Sequence, residues 1–212
     1  MSPAPHTPQT APGITVATGD AEETRALGAR LARLLRAGDL VMLSGGLGAG
    51  KTTLAQGIGA ALQVRGRVSS PTFIIARVHP ALSDGPDLIH VDAYRITSLE
   101  EVDALDLDSS LEDSVTLVEW GEGKVEALNP DRLEVEIVRP HGVVRAGVSR
   151  PDDTSAESEP SSGPLTTETV VDLGEVDDGN RWITVRAFGP RWADIDLGPL
   201  VADLSHQPGA PL

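Results

Sequence analysis

The sequence predicts an α/β fold: one domain built on a β-sheet flanked by helices, with a long acidic loop inserted into it. Three observations predict it. The apolar run Leu40–Leu43 is followed by a glycine-rich turn and then by a helix-like stretch to about Leu62. Further runs of strand length, Leu88–Asp92 and Val115–Val118, are separated by helical and turn-forming segments. A stretch of strongly biased composition parts the last two strand-like runs, Leu133–Val138 and Trp182–Ala187.

Composition narrows the class. The chain has 212 residues, enough for one good-sized domain and some disordered segments. Its formal net charge of −15 argues against a surface that neutralises nucleic-acid phosphates directly. The absence of cysteine excludes disulfides, zinc–thiolate sites and a cysteine nucleophile. No apolar run approaches the roughly 20 residues of a membrane span. The opening MSPAPHTPQTAPG lacks the basic and apolar regions of a signal peptide. A soluble cytoplasmic protein is expected.

The elements follow in order. Residues 1–13, rich in Pro, Ala and Thr, are expected to form a disordered leader, and Ile14–Thr18 an extended piece. Asp20 and Glu23 stand in capping-box spacing, and Leu27, Leu31, Leu34 and Leu35 share a helical face that Gly38 ends. After the helix to Leu62, Phe73–His79 and Leu88–Asp92 read as strands joined by Ser83-Asp84-Gly85-Pro86. Ser98 and Glu101 cap a short helix, Leu99–Leu105, and another helical turn falls near Ser110–Asp113. The strand Val115–Val118 runs into Glu119-Trp120. From Pro151 to Asp178 there are nine Asp and Glu and no Lys or Arg, a composition that buries too little apolar surface to fold alone. A solvated acidic loop inside a β-hairpin is the expectation. A short helix at Leu197–Leu204 precedes a polar end.

The glycine-rich turn carries the chemistry. Gly45-x-x-x-x-Gly50-Lys51-Thr52, between a strand and a helix, is the P-loop pattern, so the domain is read as a P-loop NTPase domain. Its glycines permit positive φ and bring backbone N–H groups to phosphate oxygens. The following helix adds the positive end of its dipole. Lys51 would place its charge on the β/γ-phosphates and Thr52 its hydroxyl on Mg²⁺. Carboxylates are needed too, and they belong at the carboxyl ends of neighbouring strands. Asp92 and Glu119 each end an apolar run, and Glu119 has the cleaner one. Trp120 beside it suits a nucleotide or partner contact as well as packing. Ser69–Thr72 lies where loops that sense the γ-phosphate occur.

Together these motifs resemble the TsaE (YjeE) family of bacterial P-loop ATPases of tRNA threonylcarbamoyladenosine formation. The matching pieces are GGLGAGKTTLAQG (45–57), SSPTF (69–73), HVDAYR (90–95), EEVDALDL (100–107) and LVEWGE (117–122), over about residues 15–138. The resemblance implies a small α/β P-loop domain with a mixed β-sheet, and ATP and Mg²⁺ as ligands. The phosphates would lie on Gly45, Gly46, Leu47, Gly48, Ala49, Gly50, Lys51, Thr52 and Thr53. The metal would sit on Thr52 and Glu119. It further implies that Asp92 serves hydrolysis, that Trp120 supports activity, and that Thr72 lies in the loop responding to the γ-phosphate. The implied partner is a heterodimer of two actin-like-fold proteins, one of which makes the transfer, with ATP hydrolysis resetting that complex. Gly46 stands where Asp or Glu is common in the family. The acidic insertion is not a general family feature, and it leaves open whether Arg181 is the nucleotide contact it resembles.

The boundaries expected are a leader at 1–13, the ATPase domain at 14–138, the insertion at 139–179, a final strand at 180–190 and a C-terminal tail at 191–212. Two other readings share the loop. A small-molecule kinase would need an acceptor pocket and an Arg-rich lid, and no such lid segment is found. A nucleotide-gated binding module would use ATP binding without hydrolysis.

Overall fold

The computed structural model describes residues 13–71, 75–96, 101, 112–140 and 179–201. One compact unit comprises residues 1–140 and 179–212, and every element below belongs to it. The leader at 1–12, Thr72, Phe73, most of the Leu99–Leu105 helix, Ser110, Leu111 and the acidic stretch 141–178 lie outside the described residues.

The strands are β1 (Ile14–Thr18), β2 (Leu40–Ser44), β3 (Ala76–His79), β4 (Asp87–Asp92), β5 (Ser114–Glu119), β6 (Arg132–Val138) and β7 (Arg181–Phe188). They form one mixed sheet in the order β1-β7-β6-β2-β5-β4-β3. The strands β6, β2, β5 and β4 run parallel at its centre, and β7 and β3 pair antiparallel to them. Central parallel strands are covered on both faces and so read as continuous apolar runs. Leu40–Leu43 and Val115–Val118 are buried at every position. β6 and β7 form the hairpin predicted around the acidic stretch, with Leu133 opposite Ala187 and Val135 opposite Val185.

The helices are α1 (Ala21–Ala32) and α2 (Lys51–Ala61). Asp20 caps α1 by accepting from the Glu23 N–H at 2.8 Å, while Glu23 reaches back to the N–H of Gly19, not of Asp20. The helix stops at Ala32, well before Gly38. Gly38, at φ +92°, instead makes the turn into β2 and donates to Ser114 O. Both helices pack on the same sheet face, where Leu27, Leu31, Leu54 and Ile58 meet Val41, Leu43, Leu117 and Val135. The opposite face, with Met42, Ile89, Val91 and Val118, is closed by Ala93, Ile96, Val125 and Leu128.

The described residues after β7 pack on the core. Trp192, Leu197 and Leu200 are buried in the core cluster shared with α1. In the described part of the helix expected at Leu197–Leu204, a 3-10 turn spans Gly198–Leu200; residues 202–212 lie outside the described residues.

The two helices meet backbone to backbone. A Cβ on Gly57 would lie 2.8 Å from both Cα and C of Arg25 in α1 and closer still to its carbonyl oxygen. Backbone cannot step aside as a side chain can. Gly57→Ala is therefore expected to destabilise by about 1–3 kcal/mol, outweighing alanine's helix preference of about 1 kcal/mol. Thermal unfolding checks this, and an unchanged or raised midpoint would contradict the close crossing.

Candidate functional site

The loop that links β2 to α2 holds three glycines at positive φ: Gly45 (+134°), Gly48 (+72°) and Gly50 (+116°). Gly45 is obligatory for space as well, because a Cβ there would strike the carbonyl oxygen of Ile137 on β6. A Cβ on Gly46 would meet nothing within 4 Å, so an acidic residue would be tolerated at that position. Leu47 is almost fully exposed at the tip, and Ala49 is buried beneath. Gly50 caps α2 without a side chain, leaving the first-turn N–H groups directed at the loop without a side-chain acceptor from the cap.

Lys51 opens α2 and is 5 % exposed. Its Nζ donates to the carbonyls of Gly45 (2.8 Å) and Gly46 (3.0 Å), which holds the ammonium at the mouth of the loop. The same Nζ stands 3.9 Å from the centroid of the Trp120 ring. Burial pushes the Lys51 pKa below its ordinary value, opposed by the negative charges of Glu119, Asp92 and Glu122. Trp120 adopts φ +60°, unusual for a bulky residue, and its ring meets Tyr94 edge-on at 5.5 Å. That backbone turn carries the chain off the end of β5 and brings the indole to the lysine.

Glu119 and Asp92 end adjacent parallel strands and are direct register partners. Glu119 Oε1 accepts from the Thr52 hydroxyl at 3.0 Å, joining the first turn of α2 to β5. Asp92 Oδ1 accepts from the N–H of Tyr94 at 3.0 Å and so caps the 3-10 turn Ala93–Arg95. Thr53 lies half-buried on the first turn of α2. Arg181, at the start of β7, donates from Nε to the carbonyl of Ala49 at 2.8 Å and so stands behind the loop. Thr72 lies outside the described residues. The structure thus brings together Lys51, Thr52, Glu119, Asp92, Trp120 and Arg181 around the loop.

Two contacts escape a reading of the sequence alone. His90 is fully buried and its Nε2 lies 2.9 Å from Glu119 Oε1. Tyr94 braces Trp120. The signal for the first was the alternation His90-Val91-Asp92, which puts His90 and Asp92 on the same side of β4.

Fold and loop define a class: a mixed-sheet α/β protein that carries the P-loop sequence between its central strand and its second helix. A family model described as "Threonylcarbamoyl adenosine biosynthesis protein TsaE" matches residues 18–146. The chain is 51 % identical over 177 residues to the "tRNA threonylcarbamoyladenosine biosynthesis protein TsaE" of Streptomyces coelicolor, covering 83 % of this chain and 98 % of that one. It is 48 % identical over 134 residues to the protein of the same description from Mycobacterium tuberculosis, covering 60 % and 80 %. Among solved structures, Bacillus subtilis YdiB superposes with a TM-score of 0.54 at 26 % identity, covering 88 % of this chain and 91 % of that chain. The chain belongs to the TsaE family, which takes part in the threonylcarbamoyladenosine modification of tRNA. No described helix is long and apolar enough to cross a membrane.

Proposed function

We propose that this chain binds ATP with Mg²⁺ on Gly45–Thr53 and hydrolyses it slowly alone and faster with its partners. The nucleotide cycle would act on the complex that transfers the threonylcarbamoyl group to the adenosine beside the tRNA anticodon. One observation carries the reading: a buried ammonium, a hydroxyl and two carboxylates meet at a glycine loop that opens a helix. The donor set suits a hard cation, since the Thr52 hydroxyl and Glu119 carboxylate oxygens lie 3.0 Å apart. Among the described residues no group of three or more His, Cys, Asp or Glu forms a metal cage. Mg²⁺ favours such sparse sites, taking its other ligands from water and phosphate.

Thr52 and Glu119 would hold Mg²⁺, whose charge would offset that of the phosphates. Loop N–H groups would cradle the phosphates, and Lys51 would turn its ammonium from the two carbonyls to a phosphate oxygen. Trp120 would confine that ammonium from the side. Asp92 would orient the attacking water from the strand beside Glu119. The partners inferred are the heterodimer of two actin-like-fold proteins. They would hold the tRNA, in keeping with this chain's net charge of −15.

Hydrolysis measured with and without that heterodimer, for the wild type and Glu119→Ala, tests the reading. Partner-stimulated turnover is expected, with a loss of about 100-fold in the variant. If Glu119→Ala still supported full tRNA modification, nucleotide binding alone would suffice and the hydrolytic cycle would be wrong.

A further inference from the structure

Glu119 Oε1 carries two donors, and the second comes from a residue that nothing above requires. Thr52 donates to Oε1 at 3.0 Å, so that oxygen is an acceptor. His90 Nε2 lies 2.9 Å from the same atom, and since a carboxylate that holds a metal has no proton to donate, the proton in this contact belongs to the ring nitrogen. The two side chains are 0 % and 4 % exposed, so solvent does not compete for this contact. On β4, His90 pairs in register with Leu117, two residues before Glu119, so ring and carboxylate share a sheet face.

The other side of the ring is the telling part. His90 Nδ1 is buried without a hydrogen-bond partner among the described residues. A buried polar atom without a partner opposes folding. An apolar ring of similar size would fill the space without that penalty. Packing therefore does not explain a histidine here; only its Nε2–H has a task, and that task ends on Glu119.

We propose that His90 is a positioning residue, whose Nε2–H fixes Glu119 Oε1 so that the carboxylate is presented to Mg²⁺ beside Thr52. This rests on the metal role given to Thr52 and Glu119 above. A ligand carboxylate left without its supporting donor still binds, but more weakly, typically by about 10- to 100-fold.

The test is an Mg²⁺ titration of the binding of a fluorescent ADP analogue to the full chain, with the metal-free affinity measured beside it. His90→Phe is expected to raise the half-saturating Mg²⁺ concentration by about tenfold, while leaving the metal-free affinity within about twofold. His90→Gln, whose Nε2 can take the place of the ring nitrogen, is expected to return it to within about threefold of wild type. In a Glu119→Ala background, His90→Phe should add nothing further. A wild-type Mg²⁺ requirement in His90→Phe would overturn the proposal. So would an equal loss of metal-free affinity, or an effect that persists without Glu119. If the wild type itself showed no Mg²⁺ dependence, the metal assignment would fall and this inference with it. Should melting show His90→Phe unfolded, His90→Asn, too short to reach Glu119, replaces it with the same expectations.

Discussion

Lys51→Met is expected to weaken binding of an Mg²⁺-bound ATP analogue by at least about 30-fold while leaving the melting temperature at pH 7 unchanged or higher. The first half follows from removing a desolvated cation aimed at phosphate, a loss of about 2–5 kcal/mol. The second follows from burial. Lys51 is 5 % exposed, and that burial lowers its pKa from 10.5 despite the nearby carboxylates. The folded state thus binds fewer protons than the unfolded state between the lowered pKa and 10.5. Below that window the charge opposes folding, and stability rises with pH as the ammonium is lost. Methionine keeps the length and removes the charge. Titration calorimetry and thermal melting check the two halves. A fall of many degrees with binding intact would mean that the ammonium serves the fold and not a ligand.

Asp39→Ala is expected to cost about 3–5 kcal/mol, the usual penalty for stranding one member of a buried ion pair. Arg191 donates from Nε to Asp39 Oδ1 at 3.1 Å, and from Nη2 to Oδ2 at 3.0 Å and to Leu34 O at 2.9 Å. Its guanidinium carbon also lies 4.2 Å from the Trp192 ring centroid. The side chains are 10 % and 4 % exposed, so water cannot replace the lost partner. For a chain of this size the melting temperature should fall by about 2–4 °C per kcal/mol. Apolar pairs often replace buried ion pairs without loss. Arg191→Met in the Asp39→Ala background should therefore recover part of the stability. If the single variant melted like the wild type, the pair would not be what fastens residues 190–201 to the core.

The sequence showed most of what lies at the centre of the fold. Leu40–Leu43 and Val115–Val118 read as strands because a doubly covered strand has no polar face to show. Asp20 and Glu23 marked the start of α1 because capping is local chemistry. The lysine, threonine and carboxylate candidates followed from the demands of phosphate binding. What the sequence hid depends on distant partners. Arg191 and Asp39 are 152 positions apart, and Pro190-Arg191-Trp192 has no period that would announce a buried turn. Gly38 looked like a helix stop because glycine ends helices and makes turns for the same reason, its tolerance of positive φ. His90 looked like any strand residue until β4 lay beside β5. That both helices share one face is a matter of chain path, which local periodicity does not encode.

The most direct measurement is an equilibrium titration of the purified wild-type chain with a non-hydrolysable ATP analogue, with and without Mg²⁺, followed by heat and by tryptophan fluorescence. One site per chain is expected, at micromolar to millimolar levels, tighter with Mg²⁺. A fluorescence change should come from Trp120 as the Lys51 ammonium turns beside its ring. No binding up to millimolar analogue, with the chain folded, would contradict the reading of Gly45–Thr53 as a nucleotide site.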